Sequence, residues 1–309
     1  MVSSSAPGKL ILMGEHAVVF GQPAIALAID LRIRCKINPS HAFSVNGEVL
    51  TQRYHSYVFS SVKKVWGSDP VAIDITSELP SSSGLGSSAA VTVAVLAALS
   101  KMSGRFSEQY VAGNGFEVES EVQGRASPVD TSTCAHGHGV FVDKSPGANL
   151  LWEIRRDTRR WFVHHCAVPE MEIVVGHTGV VAHTGPLVAK VKNFADRSKF
   201  GKDMIEEIGS LTLEGLSKLR AGDKVALGEL MTRNQKLLAI LGVSSPEIDR
   251  LVEVSLPYSY GAKLTGAGGG GSMIALTDRA KDVCEAIKKR GGTPIVVRTG
   301  AKGVTIEAS

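Results

Sequence analysis

Three groups of residues in this 309-residue chain could handle an anion and a proton. The first is the stretch Pro80 to Ala90, PSSSGLGSSAA. Gly84 and Gly86 let the backbone take positive φ and approach a ligand closely. Ser87 and Ser88 fall where a helix starts, with its amides unpaired and the positive end of its dipole facing out. Such a place suits an anion, and a nucleotide's phosphates are the expected one. A serine-capped helix after a flexible turn is the plainer account of the same residues. The second group is acidic. Glu117, Glu119 and Glu121 alternate, and on a helix Glu117 and Glu121 share a face while Glu119 points the opposite way. Asp130 falls in the first turn of a helix if Ser127 caps it and Pro128 is its first residue, a position where the dipole alone favours a carboxylate. The third is Glu15-His16, which interrupts apolar sequence on both sides and is therefore exposed in a bend or held in a site.

Other motifs narrow the chemistry. No G-x-x-x-x-G-K-[ST] occurs, and the HRD and DFG tripeptides of protein kinases are missing, so any ATP is held by a different cradle. A second glycine run, Lys263 to Ser272 (KLTGAGGGGS), contains a formal G-x-G-x-x-G at Gly266, Gly268 and Gly271. A dinucleotide fingerprint needs a helix directly afterwards, and here the strand-like Met273 to Leu276 follows, which excludes it. Cys134-Ala135-His136-Gly137-His138, with His164, His165 and Cys166, offers nitrogen and sulfur donors, but the spacing fits no zinc finger. A plain strand edge is the expectation there.

The elements that must position these groups follow from periodicity. Val2 to Ala6 leads into a turn at Pro7-Gly8-Lys9, then a strand at Leu10 to Met13 and another at Ala24 to Ile33. Tyr54 to Trp66 reads as a helix packing Tyr57, Val58, Val62 and Val65. Val71 to Thr76 alternates as a strand, and Val91 to Leu99 is apolar enough for a buried helix. Ser107 caps a helix to about Val122. Composition shifts near Trp161 to Pro169, which places a domain seam between residues 1–165 and 166–309. Beyond it come a strand at Glu172 to Val181, a long helical region from Leu187 to about Gly209, and helices capped by Asp223 and Ser245. A last helix, Asp278 to Arg290, precedes a strand at Ile295 to Arg298.

The bulk numbers set outer bounds. A chain of 309 residues holds two modest domains or one large one. With 43% hydrophobic and 21% charged residues it is an ordinary soluble protein. The net charge of +4 is scattered, and the short cluster Arg155 to Arg160 is no basic stripe, so a nucleic-acid partner is not expected. Four cysteines without CxxC pairing fit reduced thiols in a cytoplasm. The apolar run Ala89 to Leu99 falls short of the roughly 20 residues a membrane span needs. Lys9, Glu15 and His16 break any signal-peptide core, so a cytoplasmic protein without a membrane partner is expected.

The loop P-x-x-x-G-L-G-S-S-A-A resembles the phosphate loop of the GHMP kinases, which include galactokinases, homoserine kinases, mevalonate kinases and phosphomevalonate kinases. The string SAPGKLILMGEHAVVFGQPA is similar to the N-terminal signature of the mevalonate kinases among them. Glu119, followed eleven residues on by Asp130, resembles their metal-ligand and base segment, and KLTGAGGGGS their third motif. Some members read G-N-P-S-G-V-D where this chain has Arg125-Ala126-Ser127-Pro128-Val129-Asp130. The resemblance implies an α+β fold of two domains, an N-terminal one like domain 2 of ribosomal protein S5 and a ferredoxin-like C-terminal one. It implies ATP-dependent phosphorylation of the 5-hydroxyl of (R)-mevalonate, with Mg²⁺ and a homodimer. ATP would lie on Pro80, Ser81, Ser82, Ser83, Gly84, Leu85, Gly86, Ser87, Ser88 and Ala89. Ser88 and Glu119 would hold Mg²⁺, Asp130 would be the base and Lys9 its cationic partner. Glu15, His16, Thr184 and Gly268 would line the mevalonate pocket. Another alcohol, such as phosphomevalonate or a sugar, is the nearest rival, and a non-enzymatic nucleotide-binding regulator the next.

Overall fold

A computed structural model describes residues 1–80, 83–124, 126–182 and 184–307, with Thr184 through its backbone alone. Among these residues two mixed layers of sheet and helix meet. The first is built on β1 (Val2–Met13) and β2 (Ala24–Pro39), which pair antiparallel along most of their length. The turn expected at Pro7-Gly8-Lys9 is absent. The strand runs straight through it, and a register shift between Pro7 and Gly8 absorbs the missing proline N–H. Ala24 to Ile29 is buried on both faces, whereas Ile33 to Ile37 alternates inside and out, so β2 leaves the core halfway along. β3 (Ser44–Val45), β4 (Glu48–Val49) and β5 (Val71–Ser77) extend the sheet on one side of β2. β6 (Gly139–Asp143), β7 (Leu150–Arg156) and β8 (Arg159–Cys166) extend it on the other, in the order β4-β3-β5-β2-β6-β8-β7.

Four helices cover this sheet. α1 (Ser56–Val65) lies between β4 and β5 in sequence and packs on α2 (Ser87–Met102). α2 is apolar nearly all round and is accordingly buried, lying against β1 and β2. α3 (Glu108–Gln123) starts at Ser107, whose hydroxyl accepts from Tyr110 N as a cap should. α4 (Val129–His136) is capped by Pro128 and not by Ser127, one residue later than expected, and Asp130 remains in its first turn. Where a strand edge was expected at His136-Gly137-His138, His136 ends this helix and Gly137 makes a single bridge to Lys302 just before β6.

The second layer is a four-stranded antiparallel sheet, order β10-β11-β9-β12, made of β9 (Glu172–His177), β10 (Gly261–Thr265), β11 (Ser272–Leu276) and β12 (Thr293–Arg298). The helical region from 184 onward divides into α5 (Thr184–Arg197) and α6 (Lys199–Ala221), because Ser198 is extended and caps α6. α7 (Lys224–Ile240) begins at Asp223 and packs on β10; α8 (Pro246–Ser255) begins at Ser245; α9 (Ala280–Lys289) lies on β9 and β12. A final strand, β13 (Thr305–Glu307), crosses back to the first sheet and pairs with β1. Among the described residues, no helix is long and apolar enough to cross a membrane.

Candidate active site

The loop from β5 to α2 is shaped by two left-handed glycines, Gly84 (φ 77°) and Gly86 (φ 76°). Gly86 is the N-cap of α2 and gives it no side-chain bond, so the helix is not serine-capped and its first amides stay available. A Cβ on Gly86 would lie 2.7 Å from Lys9 Cγ, so the missing side chain makes room for the lysine. Lys9 N donates to Leu85 O at 2.9 Å, which stitches β1 to the loop. Its ammonium, buried, donates to Gly84 O at 3.2 Å and pairs with Asp130 Oδ2 at 3.0 Å.

Glu119 projects from α3 beneath the same point. Its neighbours Glu117 and Glu121 turn outward to Lys64, the division of faces expected on a helix. Glu119 is 3% exposed and accepts from Ser88 Oγ at 3.1 Å. Burial, with the Asp130 charge next, pushes its carboxyl up to about 8, against the Ser88 bond and the more distant Lys9 charge. A half-buried hydroxyl and a buried carboxylate oxygen side by side, beside a second carboxylate, form a hard donor set that a small divalent cation would stabilise. The residues therefore fit Mg²⁺.

The third wall comes from two distant segments. After β1 the chain turns through Gly14, and His16 is left-handed at φ 58°. Glu15 forms a fully buried ion pair with Lys263 of β10, and Asn234 Nδ2 of α7 donates to its other oxygen at 3.1 Å. Burial draws the Lys263 ammonium below its ordinary pKa, and Glu15 opposes this. His16 Nε2 bonds Ala267 O at 2.8 Å in the glycine run between β10 and β11, and burial lowers its pKa also. In that run Gly268 (φ 80°) has no room for a side chain, since a Cβ would fall 2.0 Å from Val243 O.

These segments enclose a cavity of about 870 Å³. Of the residues singled out in the sequence, Lys9, His16, Ser83, Gly84, Gly86, Ser87, Ser88, Glu119, Asp130 and Gly268 stand in its wall. Pro80, Leu85, Ala89 and Glu15 do not; Leu85 and Ala89 anchor the loop in the core, and Glu15 lies behind His16 on Lys263. Ser81, Ser82, Arg125, His183 and the Thr184 side chain lie outside the described residues. Tyr57, Gln123 and Thr265 also face the cavity, although the sequence reading gave them no site role. Tyr57 read as a packing residue because an aromatic at helical spacing looks apolar. The cluster of His136, His138 and His165 is elsewhere: His136 bonds Glu108 and His165, and among the described residues no three or more His, Cys, Asp or Glu side chains are grouped so as to hold a metal ion between them.

Comparison with known proteins agrees with this architecture. The GHMP kinases N terminal domain matches residues 53–138, and GHMP kinases C terminal matches residues 216–293. The mevalonate kinase of Pyrococcus abyssi is 36% identical over 99% of this chain and 98% of its own length. The solved mevalonate kinase of Methanococcus jannaschii superposes with a TM-score of 0.76 at 27% identity, over 96% of this chain and 98% of that one. That of L. major, determined with R-mevalonate, gives 0.80 at 24% identity, over 97% and 96%. With two glycine loops, a Lys–Asp pair and a Ser–Glu pair around one cavity, and near-complete relatives at this identity, the chain belongs to the mevalonate kinase family of the GHMP kinases.

Proposed function

We propose that the protein is a mevalonate kinase, transferring the γ-phosphoryl group of ATP to the 5-hydroxyl of (R)-mevalonate. The observation that carries this reading is the meeting of Lys9–Asp130 with Ser88–Glu119 at the start of α2, in a cavity large enough for both substrates. The free amides at the start of α2 bind phosphate oxygens, which the helix dipole favours. Ser88 and Glu119 would hold Mg²⁺, which would neutralise phosphate charge there. His16 and Gly268 face the alcohol, and Glu15, next to His16 in the chain, is anchored on Lys263.

In the transfer the alcohol oxygen forms a bond to Pγ, the bond from Pγ to the β-phosphate oxygen breaks, and ADP leaves. Asp130 accepts the hydroxyl proton. Its pairing with Lys9 at 3.0 Å fixes the direction of the carboxylate, and a loose transfer in which the proton leaves late asks little more of it. The Lys9 ammonium then faces charge on the alcohol oxygen and the transferring group. The protein acts as a homodimer in the cytoplasm, and light scattering checks the first of these.

The test is a panel of alcohols with ATP and Mg²⁺. We expect turnover of (R)-mevalonate and none of galactose or homoserine. Comparable turnover of phosphomevalonate would overturn the substrate while leaving the family intact.

A further inference from the structure

Thr265, the last residue of β10, stands in the cavity wall but has no part in the reaction as described. Its hydroxyl accepts from Ile11 N at 2.9 Å and donates to Ile11 O at 3.2 Å. One proton and two lone pairs let a single side chain serve both backbone groups of Ile11, as a residue of a neighbouring strand would. Ile11 lies in β1 two residues beyond Lys9, whose own N–H goes to Leu85 O at 2.9 Å. Both bonds leave β1 on the side away from β2, the edge that β13 occupies at Ser3 to Ser5. At Lys9 and Ile11 this edge is met by the two glycine loops, each with one side-chain or carbonyl oxygen.

Thr265 also reaches the other support of Lys9. A Cβ on Gly84 would lie 3.2 Å from Thr265 O, so the two loops press together there, and Gly84 O is the carbonyl that accepts the Lys9 ammonium at 3.2 Å. The residues two before and two after Thr265 reach the first layer as well: Lys263 pairs with Glu15, and Ala267 O bonds His16. Thr265 is the middle peg of the three. We infer that Thr265 is a positioning residue for the phosphoryl transfer: its hydroxyl completes the edge of β1 beside Lys9 and so fixes the lysine against Asp130 and Gly84. The inference rests on the reading of Lys9 as the cation that faces the transferring group. It adds a side chain of the second layer on which the Lys9–Asp130 geometry depends.

Thr265→Val keeps the shape and removes the hydroxyl, which leaves the Ile11 N–H and C=O without it. Thr265→Ser keeps the hydroxyl and removes the methyl. Thr212→Val is the control, because Thr212 is fully buried on α6 and its hydroxyl donates within its own helix, to Ile208 O at 2.7 Å. The experiment measures kcat of the full-length protein at saturating ATP, Mg²⁺ and whichever alcohol the panel turns over, so a wrong substrate does not disturb it. Melting temperature is measured alongside, and the assay runs well below the lowest one. We expect Thr265→Val to lose kcat about 10- to 100-fold, up to the cost of an ångström's misplacement. Thr265→Ser should recover most of that loss, and Thr212→Val should melt earlier with kcat unchanged. A Thr265→Val protein that melts early yet turns over at the wild-type rate makes the hydroxyl structural and overturns the inference. A Thr265→Ser protein as slow as Thr265→Val assigns the effect to the methyl and overturns it too. Lys9→Met tests the underlying reading and should lose more kcat than Thr265→Val. Activity lost in Lys9→Met but kept in Thr265→Val removes the Thr265 role alone, whereas activity kept in Lys9→Met removes the Lys9 role and Thr265 with it. If Thr265→Val does not fold, Thr265→Ala makes the same comparison with Thr265→Ser: the same loss supports the inference, and a wild-type kcat refutes it.

Discussion

Asp130 can be asked which of two jobs it does, because the jobs have different sizes. In the first turn of α4 its charge complements the helix dipole, worth about 0.3–1 kcal/mol when exposed. As a general base its loss costs on the order of 10²–10⁴ in rate. Asp130→Asn keeps the shape and removes the proton acceptor, so kcat should fall by that factor with ATP affinity nearly unchanged and the melting temperature shifted little. A variant that melts early yet turns over at the wild-type rate when folded would make Asp130 structural. The sequence exposed such residues unevenly. Glu15 and His16 stood out because they are polar inside apolar sequence, and both are buried where the cavity is built. Glu119 could be separated from Glu117 and Glu121 by angle, but only the packed helices show which face is inside. Lys263 gave no signal, since a lone lysine is expected at the surface and its buried partner lies 248 residues away.

Elements were legible where one period ran uninterrupted, as in α2, α3 and α7, and less so where a tertiary contact overrides local preference. Pro7-Gly8 reads as a turn in isolation, but pairing with β2 on both sides of it holds β1 extended through it. The helical region after residue 184 reads as one, yet Ser198 bonds Gly201 N at 3.3 Å and starts a new helix. The phosphate loop was legible because glycine positions carry backbone geometry directly. That gives a paired prediction. Gly86 and Gly222 are both left-handed, at φ 76° and φ 70°, so alanine at either costs roughly 1–2 kcal/mol of backbone strain. Around Gly222 nothing lies within 4 Å of a new Cβ, while at Gly86 the methyl displaces Lys9. Both variants should therefore lose similar stability in chemical denaturation. Only Gly86→Ala should also lose kcat, by about 10²-fold, the scale of an ångström's misplacement. Equal activity in the two would mean that Lys9 does not need its present path.

For the whole molecule, the order of the parts was legible in the sequence but their closure was not. Nothing in a three-residue strand near the C-terminus announces that it pairs with the first strand, because the partners are some 300 residues apart and share no pattern. The structure shows what this closure serves. Val304 N donates to Ala135 O at 3.0 Å and His138 N to Ala301 O at 2.7 Å, so the tail clasps the end of α4, whose first turn carries Asp130. Arg32 locks the clasp: its guanidinium donates to Lys302 O and Gly303 O, each at 2.8 Å, and to Ser5 O at 2.9 Å, joining β2, β1 and the tail. A planar fork with several donors can meet these carbonyls at once, and an ammonium on a flexible stem cannot. Arg32→Lys keeps the charge and removes the fork. With the site half-buried, the loss should be about 1–2 kcal/mol, read as a lower denaturant midpoint at unchanged m-value. Because the clasp lies at the far end of α4 from Asp130, kcat should fall by less than about 10-fold, well short of Asp130→Asn. An unchanged midpoint would show that pairing of β13 with β1 holds the tail without Arg32. A kcat loss as deep as that of Asp130→Asn would show that the clasp sets the position of the base itself.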